Sequence, residues 1–428
     1  MSKILFILLL MAGLNVQAKT TVIYAGALLA VPGEKVLSNS TIVIEDKVIK
    51  QVLSGYVDAS DIDKIDKEVT IIDLKNSFVL PGLMDMHVHL QGELGPDNIK
   101  DSLKMSSQLV GMRSTYYGMK TLLAGFTTVR DVGSDSQYMY AYRDAVNNGW
   151  VEGPRIIAAG GVGITGGHAD ISGMKPDLME FYTDKSICDG PYDCRRATRD
   201  AIKYGADWIK ITSTGGVMTD RATGTGQQME SDELTEVVLA AKRMGKKVAS
   251  HAHHEDGIIA ALKAGVASIE HGTYTGPEAI KLFKKTGAYL VPTLLAGDTV
   301  VKMAKNTDIL SPSVKEKALR VGADMQGNFI KAYHAGVKIA YGTDSGVSVH
   351  GTNAQEAVLM NEAGMPAMQV IKSATVNAAD LLDMSDSIGT IEVGKIADII
   401  AVSESPINDI KQLLDVKFVM KEGKTYKK

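Results

Sequence analysis

The sequence predicts an α/β protein: a (β/α)8 TIM-type barrel carrying a small β-sandwich built from both chain termini. Three observations carry that prediction. Short apolar runs alternate with helical segments eight times between residues 81 and 388. The flanking stretches, 19–80 and 389–428, hold only short β-like runs and turns. Metal-ligand residue types recur at the carboxyl ends of the apolar runs, where a barrel gathers its loops into one ring-shaped face. A doubly wound open sheet explains the alternation but explains that recurrence less well.

Residues 1–18 read as a secretory signal peptide. Lys3 precedes the apolar run Ile4 to Leu10, and Val16-Gln17-Ala18 offers small residues for cleavage. The run is too short to span a bilayer stably, and no Cys follows it for lipid attachment. The mature chain is expected to be exported, periplasmic or secreted, with no membrane contact after cleavage. The next β-like runs cover residues 21–30, 41–53 and 69–80, punctuated by Gly33, Asn39 and Gly55. Residues 389–402 and 416–426 have the same texture. Neither end holds enough strands to be stable alone, so the two should meet in one domain.

The first barrel strand closes on Asp85-Met86-His87-Val88-His89. The others are expected at 126–131, 155–160, 208–211, 248–251, 268–271, 289–292 and 337–341. Helical periodicity fills 107–123, 137–147, 193–204, 234–244, 256–264, 277–285 and 315–335, with Ser231 or Asp232 as a cap.

A chain of 428 residues exceeds one small core, which agrees with a large domain plus a lesser one. Its 46 basic and 50 acidic residues are spread evenly and leave a net charge of −4, so no nucleic-acid footprint exists. An aromatic fraction of 6% also argues against base-stacking platforms. The partner expected is a small molecule or short peptide, with a homo-oligomer open through exposed barrel helices. Cys188 and Cys194 are too few for a thiolate zinc site. In an exported protein they can close a small structural disulfide loop, the alternative being two free thiols.

Alternation along a strand puts His87 and His89 on one face. Lys210, His251, His271 and Asp344 end the fourth, fifth, sixth and eighth strands. Three or four nitrogen and oxygen ligands with an open position make a catalytic zinc-type site. Here there are more ligands than one ion needs, which suits two ions roughly 3.5–4 Å apart. Cationic Lys210 would be repelled by them. Its neutral amine can add carbon dioxide to form a bridging carbamate; otherwise it is no ligand.

This set resembles the amidohydrolase superfamily, and within it the imidazolonepropionase-related branch with zinc-dependent Xaa-Pro dipeptidases and carboxypeptidases. The resemblance rests on Pro81-Gly82, Val129-Arg130-Asp131-Val132-Gly133, Gly166-Gly167-His168 and Ala206-Asp207-Trp208-Ile209-Lys210. It continues through Ser250-His251-Ala252-His253, Glu270-His271-Gly272-Thr273-Tyr274, Gly342-Thr343-Asp344-Ser345-Gly346 and Gly394-Lys395-x-Ala397-Asp398. It implies that His87, His89 and Asp344 hold one ion and that His251 and His271 hold the other. Carboxylated Lys210 and a hydroxide would bridge two Zn2+ or similar divalent ions. Asp344 would take the proton of the attacking water and deliver it to the leaving amine. His168 and Tyr274 are the candidates for polarising the scissile carbonyl.

The implied activity is hydrolysis of the amide bond of a dipeptide or N-acyl amino acid. The alternatives are a cyclic-amide hydrolase, an esterase or phosphotriesterase, and an inactive metal-binding barrel. Further substrate contacts are sought at His253, Arg130 and His350. His253 could equally support His251 from behind, Arg130 could pair with Asp131 or another acid, and His350 could be solvated. His254 reads as structural and His334 as surface. The glycine-rich 212–216 segment lacks the Lys-Ser/Thr of a phosphate loop. It reads as an active-site loop, with Arg221 downstream closing over substrate.

Overall fold

A computed structural model of the chain describes residues 19–62, 69–219 and 224–428. The expected signal peptide and Arg221 lie outside the described residues. The N-terminal segment supplies β1 (Thr20–Leu28), β2 (Leu37–Glu45), β3 (Val48–Ser54) and β4 (Val69–Pro81). The single run expected over 41–53 is instead a hairpin of β2 and β3. Asp46, with φ of 51°, turns the chain between them, a conformation Asp tolerates better than most residues.

The central strands are β5 (Leu83–Val88), β6 (Phe126–Asp131), β7 (Arg155–Ile164), β8 (Ile187–Cys188), β9 (Trp208–Thr212), β10 (Val248–Ala252), β11 (Ser268–His271), β12 (Tyr289–Val291) and β13 (Lys338–Ile339). They pair in the order β13-β12-β11-β10-β9-β7-β6-β5, with short β8 added beside β7. All these pairs are parallel. The sheet curls as in a TIM-like barrel. Met86 N donates to Tyr341 O (2.8 Å), Asp344 N to His87 O (2.8 Å) and His89 N to Ser345 O (2.7 Å), so the chain beyond β13 runs beside β5. Both faces of the curled sheet are buried. Met86, Trp208, Ala249, Val291 and Ala340 cluster on one side, and Ile209, Ile211, Ile269 and Leu290 lie in the larger core on the other. Double burial is why these strands read as apolar runs rather than alternating ones.

The chain ends supply β14 (Ile399–Val402), β15 (Phe418–Lys421) and β16 (Lys424–Lys427). They join the N-terminal strands in the order β16-β15-β14-β4-β1-β2-β3. The two ends meet as expected, but in one hydrogen-bonded sheet rather than two separate ones. Its far edge folds back: Ile49 N donates to Lys395 O (2.9 Å) and Ala397 N to Lys47 O (2.8 Å). The sheet thereby closes over its own core of Ile23, Ile42, Ile49, Ile399 and Phe418. Cys188 and Cys194 are bonded, tying β8 to the helix Pro191–Tyr204.

Candidate metal centre and active site

Two groups of ligand-type side chains face each other at the carboxyl ends of the central strands. One is His87, His89 and Asp344; the other is His251, His253 and His271. Within each group the ligand atoms lie within 4.8 Å of one another. The His87 and His271 rings are 5.1 Å apart, so the groups are adjacent. Local backbone irregularities aim these side chains. The β5–β6 register slips between Asp85 and Val88, and such bulges re-aim side chains next to active sites. His271 and Asp344 adopt φ of 70° and 59°. Each such conformation costs on the order of 1–3 kcal/mol in a non-glycine residue and persists only where surrounding structure enforces it.

The donor set fits divalent cations. Asp344 Oδ1 is buried and lies 2.7 Å from His89 Nε2 and 3.4 Å from His87 Nε2. It nonetheless lacks an aligned hydrogen bond. Three lone-pair atoms converging on one point without bonding each other is the geometry a metal ion satisfies. Lys210, buried in the lining of the cavity that holds both groups, reaches Val132 O with its Nζ at 3.4 Å. No carboxylate lies within ion-pair distance of it among the described residues. Its charge acts on His87 and His89 on one side and on His251 and His271 on the other.

Burial dominates the titration of the site. It lowers Lys210 towards the neutral amine, against the opposing pull of Glu270 and Asp344. It drives His251 and His271 well below the ordinary imidazole value. His253 falls to about 3 through burial and then neighbouring His168. His168 falls to about 4 through burial and then Lys210. Neutral imidazoles are the ligating form. For Asp344, burial works upward, but His87, His89 and His271 outweigh it and hold the carboxylate well below its usual range.

The site floors a cavity of about 1580 Å³ lined by His87, His89, His168, Lys210, His251, His253, His271 and Asp344. All six residues expected to bind metal are brought together. His253 joins them as a member of the second histidine group rather than standing apart from it. His168 is in place too. Its ring lies 4.4 Å from His251 and its Nδ1 contacts Thr219 Oγ1. Lys317 Nζ clamps that loop by donating to Gly216 O (3.2 Å) and to Thr219 O. Glycine is required beneath two of these rings. A Cβ on Gly133 would meet His89 Cε1 at 2.0 Å, and one on Gly216 would meet His168 Cε1 at 2.1 Å.

Three expected substrate contacts do not line the cavity. Arg130 is fully buried and pairs with Glu270 at 2.8 Å. The ion-pair reading therefore holds, with Glu270 rather than Asp131 as the acid. His350 is neither solvated nor at the cavity. It is buried, with Nε2 2.9 Å from Gly92 O and 3.2 Å from His89 O, and so braces the loop carrying His89. Tyr274 is directed towards the helix Pro312–His334, where burial and the nearby Asp324 carboxylate push its hydroxyl above the usual phenol value. His254 is exposed and bonds Asp256, and His334 is exposed.

Sequence reasoning passed over two buried acids. Glu270 Oε2 lies 3.0 Å from His87 Nδ1. Asp85 accepts from His87 N, Thr343 N, Thr343 Oγ1 and Asn353 Nδ2, joining the first strand to the last. The available signal was an acid inside an apolar strand, which needs a partner.

The Amidohydrolase family model matches residues 78–426. The chain is 33% identical over 435 residues to an ochratoxinase of Aspergillus niger, covering 96% of this chain and 87% of that protein. It is similar to a solved Xaa-Pro dipeptidase with methionine bound in its active site, with TM-score 0.90 and 42% identity, covering 96% of this chain and 100% of that one. A prolidase complexed with N-methylphosphonate-L-proline gives TM-score 0.85 and 28% identity over 96% of this chain and 100% of that one. A match that starts in β4, passes through every central strand and ends in β16 leaves no part of the site outside it: the chain belongs to the amidohydrolase family.

Proposed function

We propose that this protein hydrolyses the amide bond of a dipeptide or N-acyl amino acid, releasing the C-terminal amino acid, at a dinuclear zinc centre. The observation that carries the reading is the pair of adjacent ligand groups sharing one cavity with buried Lys210. The similar structures support the substrate class, since one holds methionine and another a proline derivative. The apolar cavity wall of Val217, Met218, Val300, Val321 and Met325 suits an uncharged substrate side chain.

His87, His89 and Asp344 would hold one ion and His251 and His271 the other, with Lys210 bridging as its carbamate. Bound there, two divalent cations supply Lewis acidity and a water acidified to near-neutral pKa. Asp344 stays ionised next to that position and accepts the proton as the scissile carbon is attacked. It then returns the proton to the leaving nitrogen. His168 remains neutral because it is buried. With Thr219 Oγ1 donating to Nδ1, Nε2–H is left to donate to the developing oxyanion. His253 sits beside His271 and is held by Thr273 Oγ1, 2.9 Å from its Nδ1, so it steadies the second group.

Export fits the same reading, because the Cys188–Cys194 bond belongs to an oxidising compartment. The test is a screen of purified, zinc-loaded protein against dipeptides and N-acyl amino acids, with metal analysis alongside. Close to two ions per chain and release of a free amino acid are expected. One ion with turnover only of cyclic amides would replace this reading with the rival one.

A further inference from the structure

The geometry points to Glu270 as a positioning residue that fixes His87 as a ligand, with Arg130 holding Glu270 in place from behind. The inference rests on the metal-centre reading above and adds a second layer to it. Glu270 Oε2 lies 3.0 Å from His87 Nδ1. Its other oxygen accepts from Arg130 Nη2 at 2.8 Å and from Ser268 Oγ at 2.5 Å. Arg130 is held in turn. Its Nε donates to Met86 O at 2.8 Å, its Nη1 to Ser268 Oγ at 3.1 Å, and its guanidinium lies 4.7 Å over the Trp208 ring. Arg130, Glu270 and Ser268 are wholly buried, and His87 is 1% exposed. The layer thus draws on β5, β6, β9 and β11 and sits out of reach of solvent and substrate.

A carboxylate can only accept, so His87 must donate from Nδ1. That leaves Nε2 bare, and Nε2 is the atom 3.4 Å from Asp344 Oδ1. The relay therefore selects the tautomer and ring orientation that a cation at this point requires. It also explains a buried arginine that touches no substrate. Without Arg130, Glu270 would be an unpaired charge in an apolar interior. Thr293 plays a lesser counterpart role, its Oγ1 lying 2.7 Å from His271 Nδ1.

The experiment compares wild type, Glu270→Gln, and the double variant Arg130→Met with Glu270→Gln, which removes both buried charges together. Zn2+ affinity is measured by competition with a chromophoric chelator, and the Co2+-loaded absorption spectrum is recorded for each. Both variants should lose about 10–100-fold in affinity for one ion of the pair and show an altered Co2+ spectrum. The double variant should melt close to wild type, so lost affinity cannot be lost fold. Variants that bind as wild type does would overturn the relay alone, whereas a wild type that binds no Zn2+ would overturn the metal-centre reading. If neither variant folds, the 15N-histidine spectrum of the wild-type zinc holoenzyme decides. His87 protonated on Nδ1 supports the relay, and His87 protonated on Nε2 overturns it.

Discussion

Asp344 and Lys210 line one cavity, but their surroundings push one towards its charged form and the other towards its neutral form. Asp344 is kept ionised by three imidazoles, while burial pushes Lys210 towards its neutral amine. Asp344→Asn keeps the shape and one ligating oxygen but cannot take a proton. Metal should largely remain bound while kcat falls by about 10²–10⁴; wild-type turnover in that variant would remove Asp344 from proton transfer. Lys210→Ala removes the buried amine that lines the cavity with both ligand groups. Bound metal should drop from about two ions per chain towards one or none, with partial recovery in added short-chain carboxylates. Full activity without them would refute the carbamate bridge. The His87-x-His89 spacing was legible because strand alternation is local. Glu270 was not, because alternation places it on the face opposite His271. Only the left-handed φ of 70° at His271 lets consecutive residues both serve the site.

The helix Leu294–Asn306 shows how an element depends on a distant acid. Its first turn has no side-chain cap of its own. Glu356 instead accepts from Leu294 N at 2.9 Å and Leu295 N at 2.6 Å. The residue just before the helix, Thr293, is the one that contacts His271. Burial raises Glu356 from 4.5 to about 8. A folded-state pKa above the unfolded one means that the native chain holds this proton more tightly. The associated stability is complete below about 4.5 and is lost as pH climbs through about 8. In metal-free protein, Tm should therefore fall more steeply between pH of about 4.5 and about 8 for wild type than for Glu356→Gln. Parallel slopes in calorimetry would show that Glu356 is not the titrating group. A sequence gives little warning of such a cap, since its donors lie 62 and 61 residues away.

Across the whole molecule, Arg155 at the start of β7 rivets the barrel-like sheet to the terminal one. Its guanidinium pairs with Asp398 at 2.6 Å and Glu422 at 2.8 Å. Asp398 also accepts from Glu422 N at 2.8 Å, and its carbonyl accepts from Gly82 N just before β5. Asp398→Ala leaves buried Arg155 with only the half-exposed Glu422 as its acid and should cost about 1.5–3 kcal/mol. Thermal unfolding should fall by several degrees with the metal site intact at low temperature. An unchanged Tm would mean that the sheets are held by apolar packing alone. What the sequence by itself determined is the alternation of strand and helix, the meeting of the two ends, and the inventory of ligands at strand ends. Each follows from periodicity and side-chain chemistry, which are properties of a short stretch. Only the tertiary structure decided that Arg130 turns inward to Glu270, that Tyr274 turns away to Asp324, that His350 braces a loop and that the terminal strands form one curled sheet. Those outcomes depend on bulges, positive φ angles and partners far along the chain, and such pairings exist only once the elements have packed.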